Sequence, residues 1–425
     1  WDRVRGNRGA RSAGVDGVAP RSIVFGAERF LAGLRDDLKA RRFRPLPVRE
    51  RMIPKSSGKL RALGIPTARD RVVQAALKLV LEPIFEADFR PCSYGFRPRR
   101  RAQDAIAEIH YFGSAPRDYC WVLEADIKAC FDEIDHTALM GRVRRRIGDR
   151  RVLDLVKAFL KAGVLSEDGG ARDTITGTPQ GGILSPLLAN IALSVLDDHF
   201  VGAWEAMGDA SARHRRRRKG LATYRLVRYA DDFVVMVNGT REHAEDLRSE
   251  VAAVLAPMGL RLSEDKTRVV DLDEGFDFLG FRIQRQTRRS DGKRCVYTFP
   301  SKKALASIKA KVRNMTRGAT NQPLEVLCYR LAPVLRGWAN YFRHGVSKST
   351  FDYVRQFTWR RVICWLRHKH PHANWKWLRR RHLPGWWPTD GEVVLFDIGK
   401  VTVSRYRYRG AQIPTPWSWA LETTS

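Results

Sequence analysis

Between Thr223 and Gly239 the chain reads TYRLVRYADDFVVMVNG, an apolar ribbon with two adjacent carboxylates, Asp231 and Asp232, in its middle. Leu226, Val227 and Tyr229 on one side and Phe233 to Val237 on the other read as buried β structure. Burying a bare carboxylate costs several kcal/mol unless it is paired, protonated or bound to a metal. A straight strand would send the two side chains to opposite faces. A tight turn at Ala230-Asp231, between strands at 224–229 and 233–238, would aim both at one edge. A solvated hairpin turn is the competing reading, because Asp is favoured in turns anyway. ADD alone does not separate the two.

A third carboxylate is available on WVLEADIKAC (121–130), where alternation places Val122, Glu124 and Asp126 on one face. Asp126 at the end of that strand, beside Asp231 and Asp232 on a neighbouring ribbon, would form a cluster whose repulsion favours a divalent metal or raised pKa values. Mg²⁺ fits best, since it takes hard oxygen ligands, keeps waters and shares its coordination with substrate phosphates. Two such ions about 4 Å apart would activate an attacking 3′-oxygen and stabilise a leaving pyrophosphate.

Three other stretches bear on the same edge. In GTPQGG (177–182), Gly181 and Gly182 permit close backbone approach and Gln180 offers an amide that donates and accepts. The loop opens a helix, whose N-terminus suits a phosphate or a base edge; a plain helix cap explains it equally well. On IPKSSGKLRALGIP (53–66), Lys55, Lys59 and Arg61 sit on a short hairpin and could grip a triphosphate, or simply face solvent. Phe131, five residues after Asp126, is either core or the wall of a nucleotide sugar.

Charge narrows the partners. The 425 residues carry 77 Lys and Arg against 46 Asp and Glu, a net +31 that attracts a polyanion. No run of about 18 apolar residues exists to span a bilayer, so nucleic acid is preferred over membrane. Six scattered cysteines form no C-x-x-C pair, which argues against zinc ribbons and disulfides and for a reducing interior. WDRVRGNRGARSAG has no apolar core, so no secretory signal is expected, and without an initiating Met the chain reads as trimmed. Apolar spacing predicts helices over 27–41, 70–85, 136–147, 150–162 and 242–256, and strands near 266–271 and 276–284. Basic helices follow at 302–316, 323–343 and 351–369, then a Trp-rich tail. RHRRRRKG (213–220) reads as an RNA-phosphate clamp or a solvated loop. NWKWLRRRHLPGWW (374–387) and VTVSRYRYRG (401–410) interleave aromatics with Arg, as base stacking and phosphate contact require. Core packing of small helices accounts for about half of these Trp on the same reading.

SAGVDG (12–17), IPKSSGKLRALGIPTARDRVVQ, SYGFRPRR, EADIKACFDEIDH, GTPQGGILSPLLANI, RYADDF, LSEDKT, FDFLGF and LRGWANYFR (335–343) occur in that order. Over nearly its whole length the chain resembles the reverse transcriptases of bacterial group II introns, the intron maturases. The resemblance implies an α+β right-hand polymerase. Residues 1–120 would be an N-terminal extension and fingers, and 121–295 a palm with an antiparallel sheet, flanking helices and finger-like helical segments near 150–165. An α-helical thumb (domain X) would occupy 296–372, and 373–425 would be a basic DNA- or RNA-binding tail.

It implies further that Asp126, Asp231 and Asp232 are the catalytic acids of an RNA-directed DNA polymerase, a nucleotidyltransferase. With the backbone carbonyl of Ile127 they would hold two Mg²⁺ ions, or Mn²⁺ as a substitute. Gln180 would sit beside the incoming nucleotide and Phe131 would clash with a ribose 2′-OH. Lys55 and Arg61 would contact the triphosphate, and Lys266 the primer end or nucleotide. Arg97, then Arg215, Arg216, Arg217, Arg218 and Lys219, are expected nucleic-acid contacts. So are Arg336 and Arg343 in the thumb and Arg379 and Arg380 in the tail. The implied partners are intron RNA or another RNA template, a DNA or RNA primer, dNTPs and target DNA, in the bacterial cytoplasm, as monomer or dimer and without a membrane. The implied roles are cDNA synthesis, splicing and mobility. Two other settings stay open: a splicing or RNA-folding maturase with little polymerase activity, and a domesticated, defence- or CRISPR-associated reverse transcriptase. Many relatives end in a His-Asn-His endonuclease with paired cysteines. With no such pair after residue 300, none is expected here.

Overall fold

The computed structural model describes residues 1–23, 26–54, 58, 60–166, 170–172, 176–318 and 320–417. Lys55, expected at the triphosphate, and Lys59 on the same hairpin lie outside them. The chain divides into two units, one of residues 1–101, 122–269 and 411–425, the other of 102–121 and 270–410. The division falls elsewhere than the expected edges at 120 and 295. Residues 102–121 and 270–295 group with the C-terminal helices because the helix Ala102–Gly113 packs onto the strands Phe281–Thr287 and Arg294–Pro300.

The first unit is built on the ribbon that carries Asp231 and Asp232. Thr223–Tyr229 and Asp232–Asn238 form an antiparallel hairpin, with Arg228 opposite Phe233 and Tyr229 opposite Asp232. Asp232–Asn238 also adjoins Trp121–Asp126 in the same sheet, and a fourth strand starts at Arg268. Phe233 to Val237 are all buried, so this hairpin is core on both faces. It lies against the long helix Ser185–Ala206, which opens with Pro186 in its first turn, where a missing N–H costs nothing. Leu188, Ala192, Leu193 and Leu196 fill its inner side. The helix Ala68–Asp88 starts at Thr67, whose hydroxyl accepts from the backbone N–H of Asp70 at 3.2 Å. A second sheet pairs Val48–Pro54 with Leu60–Ile65 antiparallel, as the short hairpin read from 53–66 predicts, and adds the short parallel strand Val164–Leu165.

The second unit joins the antiparallel strands Phe276–Phe278, Phe281–Thr287 and Arg294–Pro300 to the helices Lys302–Met315, Leu324–Phe342 and Lys348–Lys369. Leu324, Leu327, Leu331, Leu335 and Ala339 recur at helical spacing and are fully buried. Two Trp side chains are tied into this unit. Trp365 is buried, with its indole N–H donating to the Gly318 carbonyl at 3.2 Å, and Trp387 donates to the Leu395 carbonyl at 2.7 Å.

The stretch VTVSRYRYRG is occupied within this unit. Tyr408 stacks on Tyr111 at 4.4 Å, and Arg409 grips the buried Asp104 with two bonds of 2.8 and 2.7 Å. Tyr406 meets the His344 ring edge-on at 5.0 Å. Tyr408 and Arg409 thus pin an irregular segment to a helix, while Arg405 and Arg407 of the same stretch are exposed. Replacing Arg409 with Ala deprives a buried carboxylate of its bidentate partner. Because Arg409 is itself a third exposed, the loss of stability should be about 1–3 kcal/mol, below the range for fully buried pairs. Urea unfolding followed by circular dichroism measures it.

Candidate active site

Hairpin register sets the site. Ala230 and Asp231 form the two-residue turn, and Ala230 adopts a left-handed conformation with φ of 58°. Such a φ is unusual for a residue with a Cβ and is held only where the surroundings dictate it. Gly95 lies against this turn: a Cβ there would fall 2.3 Å from the Ala230 nitrogen. Asp231 is half-buried, while Asp232 is exposed.

Asp126 ends its strand as the sequence predicts, and its carbonyl accepts from Ser263 N–H at 2.8 Å. Ile127 pairs with Leu262 in a bridge whose two bonds do not use the Ile127 carbonyl. That bridge leads into the LSEDKT turn and brings Lys266 to Asp126, Nζ donating to Oδ2 at 2.7 Å. The hydrogen bond to Asp126 holds the Lys266 ammonium above its ordinary pKa. Burial, and after it the Asp126 carboxylate, raise Asp231. Burial, then Asp231 and Asp126, push Asp232 up to about 6. Burial first, and Asp231 second, push the neighbouring Cys130 thiol up to about 12. Among the described residues no three His, Cys, Asp or Glu side chains stand as a finished metal cage; Asp126 is turned towards Lys266. The donor set is still three hard carboxylates, and its chemistry fits a divalent cation.

The glycine loop closes the opposite side. Gly177 (φ 82°) donates to Ile134, and a Cβ on it would meet the carbonyls of Phe131 and Asp132 at 2.6 Å. Gly181 (φ 112°) leaves equally little room beside the Gly64 carbonyl. Between them Gln180 accepts from Arg61 Nε at 2.5 Å and donates to Asp132 at 3.4 Å, while its carbonyl accepts from Gly64 N–H at 2.7 Å. Arg61, Gln180 and the turn bearing Phe131 are thus linked. Phe131 itself is 8% exposed and follows Ala129, another non-glycine residue at positive φ.

The other basic residues expected at nucleic acid separate into two groups. Arg97 does not face a ligand: its guanidinium is buried against Glu86 at 2.9 and 2.7 Å and donates to the carbonyls of Phe89, Arg90 and Ser93. The compensation of a buried carboxylate, Glu86, explains its place. Arg215, Arg218 and Lys219 are exposed on and just beyond the helix Ala210–Arg218, whereas Arg216 and Arg217 fold back on the carbonyls of Ala222 and Arg213. In the second unit Arg336 lies over Phe396 at 5.1 Å and Arg379 over Trp386 at 4.3 Å, both exposed, as is Arg380. The Arg343 carbonyl accepts from Ser404 N–H and its Nε is buried.

Two site residues escaped the sequence reading. Arg228, in the middle of the apolar ribbon, is fully buried against Asp197. A charge inside LVRY was the available signal, since a buried Arg requires a buried acid. Arg268, which donates to Glu124 at 2.8 Å beside Asp126, carried no signal of its own.

Residues 53–283 match the reverse transcriptase (RNA-dependent DNA polymerase) family, and residues 305–383 the maturase-specific domain of group II introns. The chain belongs to the reverse transcriptase family, in its group II intron branch. It is 39% identical over 315 residues to protein YkfC of Escherichia coli K12, covering 70% of this chain and 82% of that protein. It is 33% identical over 342 residues to the group II intron-encoded protein LtrA of Lactococcus lactis subsp. cremoris. That match takes in 68% of this chain and 55% of LtrA, so the chain spans about half of that relative. The solved telomerase of Candida albicans aligns with 80% of this chain and 62% of its own at a TM-score of 0.43 and 12% identity. Among the described residues no helix is long and apolar enough to cross a membrane.

The raised pKa of Asp232 sets a sign for stability. The folded, metal-free chain holds this proton more tightly than the unfolded chain, where the ordinary value is 3.8. The resulting stability is complete below about pH 4 and is lost as pH rises through about 6. Asp232→Asn should therefore raise the melting temperature of the metal-free protein at pH 8 by about 2 °C, the open edge of the carboxylate keeping the effect small. The gain should vanish near pH 4, as measured by calorimetry in a chelator.

Proposed function

We propose that this chain copies RNA into DNA by two-metal nucleotidyl transfer and binds the intron RNA that it serves. Three carboxylates on adjoining strands, Asp231 and Asp232 at the hairpin turn and Asp126 at the end of the neighbouring strand, carry the reading. Asp126, Asp231 and Asp232 would hold two Mg²⁺ ions, with the Ile127 carbonyl as a further oxygen. When bound, such ions activate an attacking 3′-oxygen and stabilise pyrophosphate as it leaves.

The rest falls to the chain's own residues. The left-handed Ala230 turn keeps two carboxylates at one edge. Lys266 supplies positive charge at Asp126 while the acids are otherwise uncompensated. Arg61, paired with Gln180, would meet a triphosphate, and the Gln180 amide the sugar or base of an incoming dNTP. Phe131, buried beneath the Gly177 loop, leaves little room for a ribose 2′-hydroxyl. Arg215, Arg218 and Lys219 offer exposed charge for an RNA backbone, where each neutralised phosphate adds affinity through counterion release. Splicing, mobility and contact with target DNA are roles of the same reading.

Primer extension on an RNA template tests it. Asp231→Ala should lower DNA synthesis at least about a hundredfold, with folding unchanged by circular dichroism; robust synthesis by that variant would remove Asp231 from the reaction. Phe131→Ala should admit ribonucleotides at the cost of about 3–4 kcal/mol of stability, because the ring is nearly buried. Chain extension with rNTPs alone at low temperature reads the first effect separately from the second. An unchanged preference for dNTPs returns Phe131 to the core.

A further inference from the structure

Arg228 uses all five of its guanidinium hydrogens inside the protein. Nε and Nη2 donate to the two oxygens of Asp197 at 2.7 and 2.5 Å, and both side chains are fully buried. Nη1 donates to Asn190 Oδ1 at 3.0 Å and to the Ala230 carbonyl at 3.0 Å, and Nη2 to Ser93 Oγ at 2.7 Å. The backbone is pinned as well: Arg228 N–H donates to Cys92 at 2.9 Å, and its carbonyl accepts from Tyr94 N–H at 2.8 Å. Asn190 turns its own amide to the Gly95 carbonyl at 2.8 Å, and Gly95 is the residue pressed against the Ala230 nitrogen. Three segments, Cys92–Gly95, the helix Ser185–Ala206 and the hairpin, therefore meet on one guanidinium. Its bond to Ala230 reaches the strained residue immediately before Asp231 and Asp232.

Stability alone is a poor reason for such a pair. Two charges withdrawn from water give back little net free energy, and well-packed apolar residues of similar size often serve as well or better. What apolar residues do not supply is direction: a bidentate fork fixed by Asp197 and aimed at one carbonyl oxygen. We propose that Arg228, held by Asp197, is a positioning residue that fixes the Ala230 turn and thereby sets the spacing at which Asp231 and Asp232 take divalent cations. The inference rests on the metal-binding reading of those two acids. Groups that orient metal ligands from behind commonly change metal affinity or activity by about 10–100-fold when altered.

The test uses the full chain. Melting temperature is measured against Mg²⁺ concentration without nucleotide, which reports binding independently of turnover, and kcat and KM for dNTP are measured on an RNA template. The double variant Arg228→Met with Asp197→Leu should keep its Mg²⁺-free melting temperature within about 3 °C. Its Mg²⁺ midpoint should rise, and its kcat fall, about tenfold or more, with KM little changed. Arg228→Lys keeps the charge and loses the fork, and should shift both in the same direction. It also decides the matter should the double variant not fold. Wild-type Mg²⁺ midpoint and kcat in either folded variant overturn the proposal. If Asp231→Ala abolishes synthesis while the Arg228 variants behave as wild type, the positioning role alone is lost. If Asp231→Ala still synthesises DNA with an unshifted Mg²⁺ midpoint, the reading of the acids themselves fails.

Discussion

Repulsion between like charges at the end of an apolar ribbon is the constraint around which one unit of this chain is arranged. Two unit charges 4 Å apart repel by about 4 kcal/mol at an effective dielectric of 20. The hairpin that bears them opposes this with Phe233 to Val237, all buried, each worth roughly 1.5–3 kcal/mol. The ribbon can therefore tolerate the acids without being reorganised by them. Lys266 at Asp126 relieves part of the remaining field, and burial first, with the neighbouring carboxylates after it, raises the proton affinities of Asp231 and Asp232. A site of this kind is least comfortable when empty, which is a general property of preformed cation sites.

Close approach of backbones does the rest of the placing. Gly95 admits the Ala230 turn, Gly177 admits the carbonyls after Phe131, and Gly181 admits Gly64. At each of these points a methyl group would collide with main chain, which cannot rotate away as a side chain can. Gln180, standing between two of them, has its amide oriented by Arg61 and Asp132 before any ligand arrives.

Much of this was legible in the sequence, and the reasons differ by residue. The turn at Ala230-Asp231 and the face shared by Glu124 and Asp126 followed from period-two alternation, and the strand bounds agree within a residue or two. The C-terminal helices followed from their apolar stripe. Long-range pairing was not legible. Arg97 looks like any other cation in RPRRR until Glu86 is found opposite it. In VTVSRYRYRG the contacts of Tyr408 and Arg409 were not legible, because stacking on Tyr111 and stacking on a base ask for the same residues. The boundary of the second unit was hidden for a related reason: residues 102–121 join it by contacts made hundreds of positions away.

That last contact has a bearing on how the chain is made. Asp104 and Arg409 are separated by 305 residues, and a ribosome adding 5–20 residues each second takes about 15–60 s to travel between them. The helix Ala102–Gly113 must wait that long, its apolar face already synthesised and its strap still in the future. The first unit has its sheet complete much earlier. Between those moments the nascent chain carries a finished ribbon with its acids in place while the second unit is still incomplete. Assembly of the second unit is then the late step of folding, set by the time the chain takes to reach Arg409.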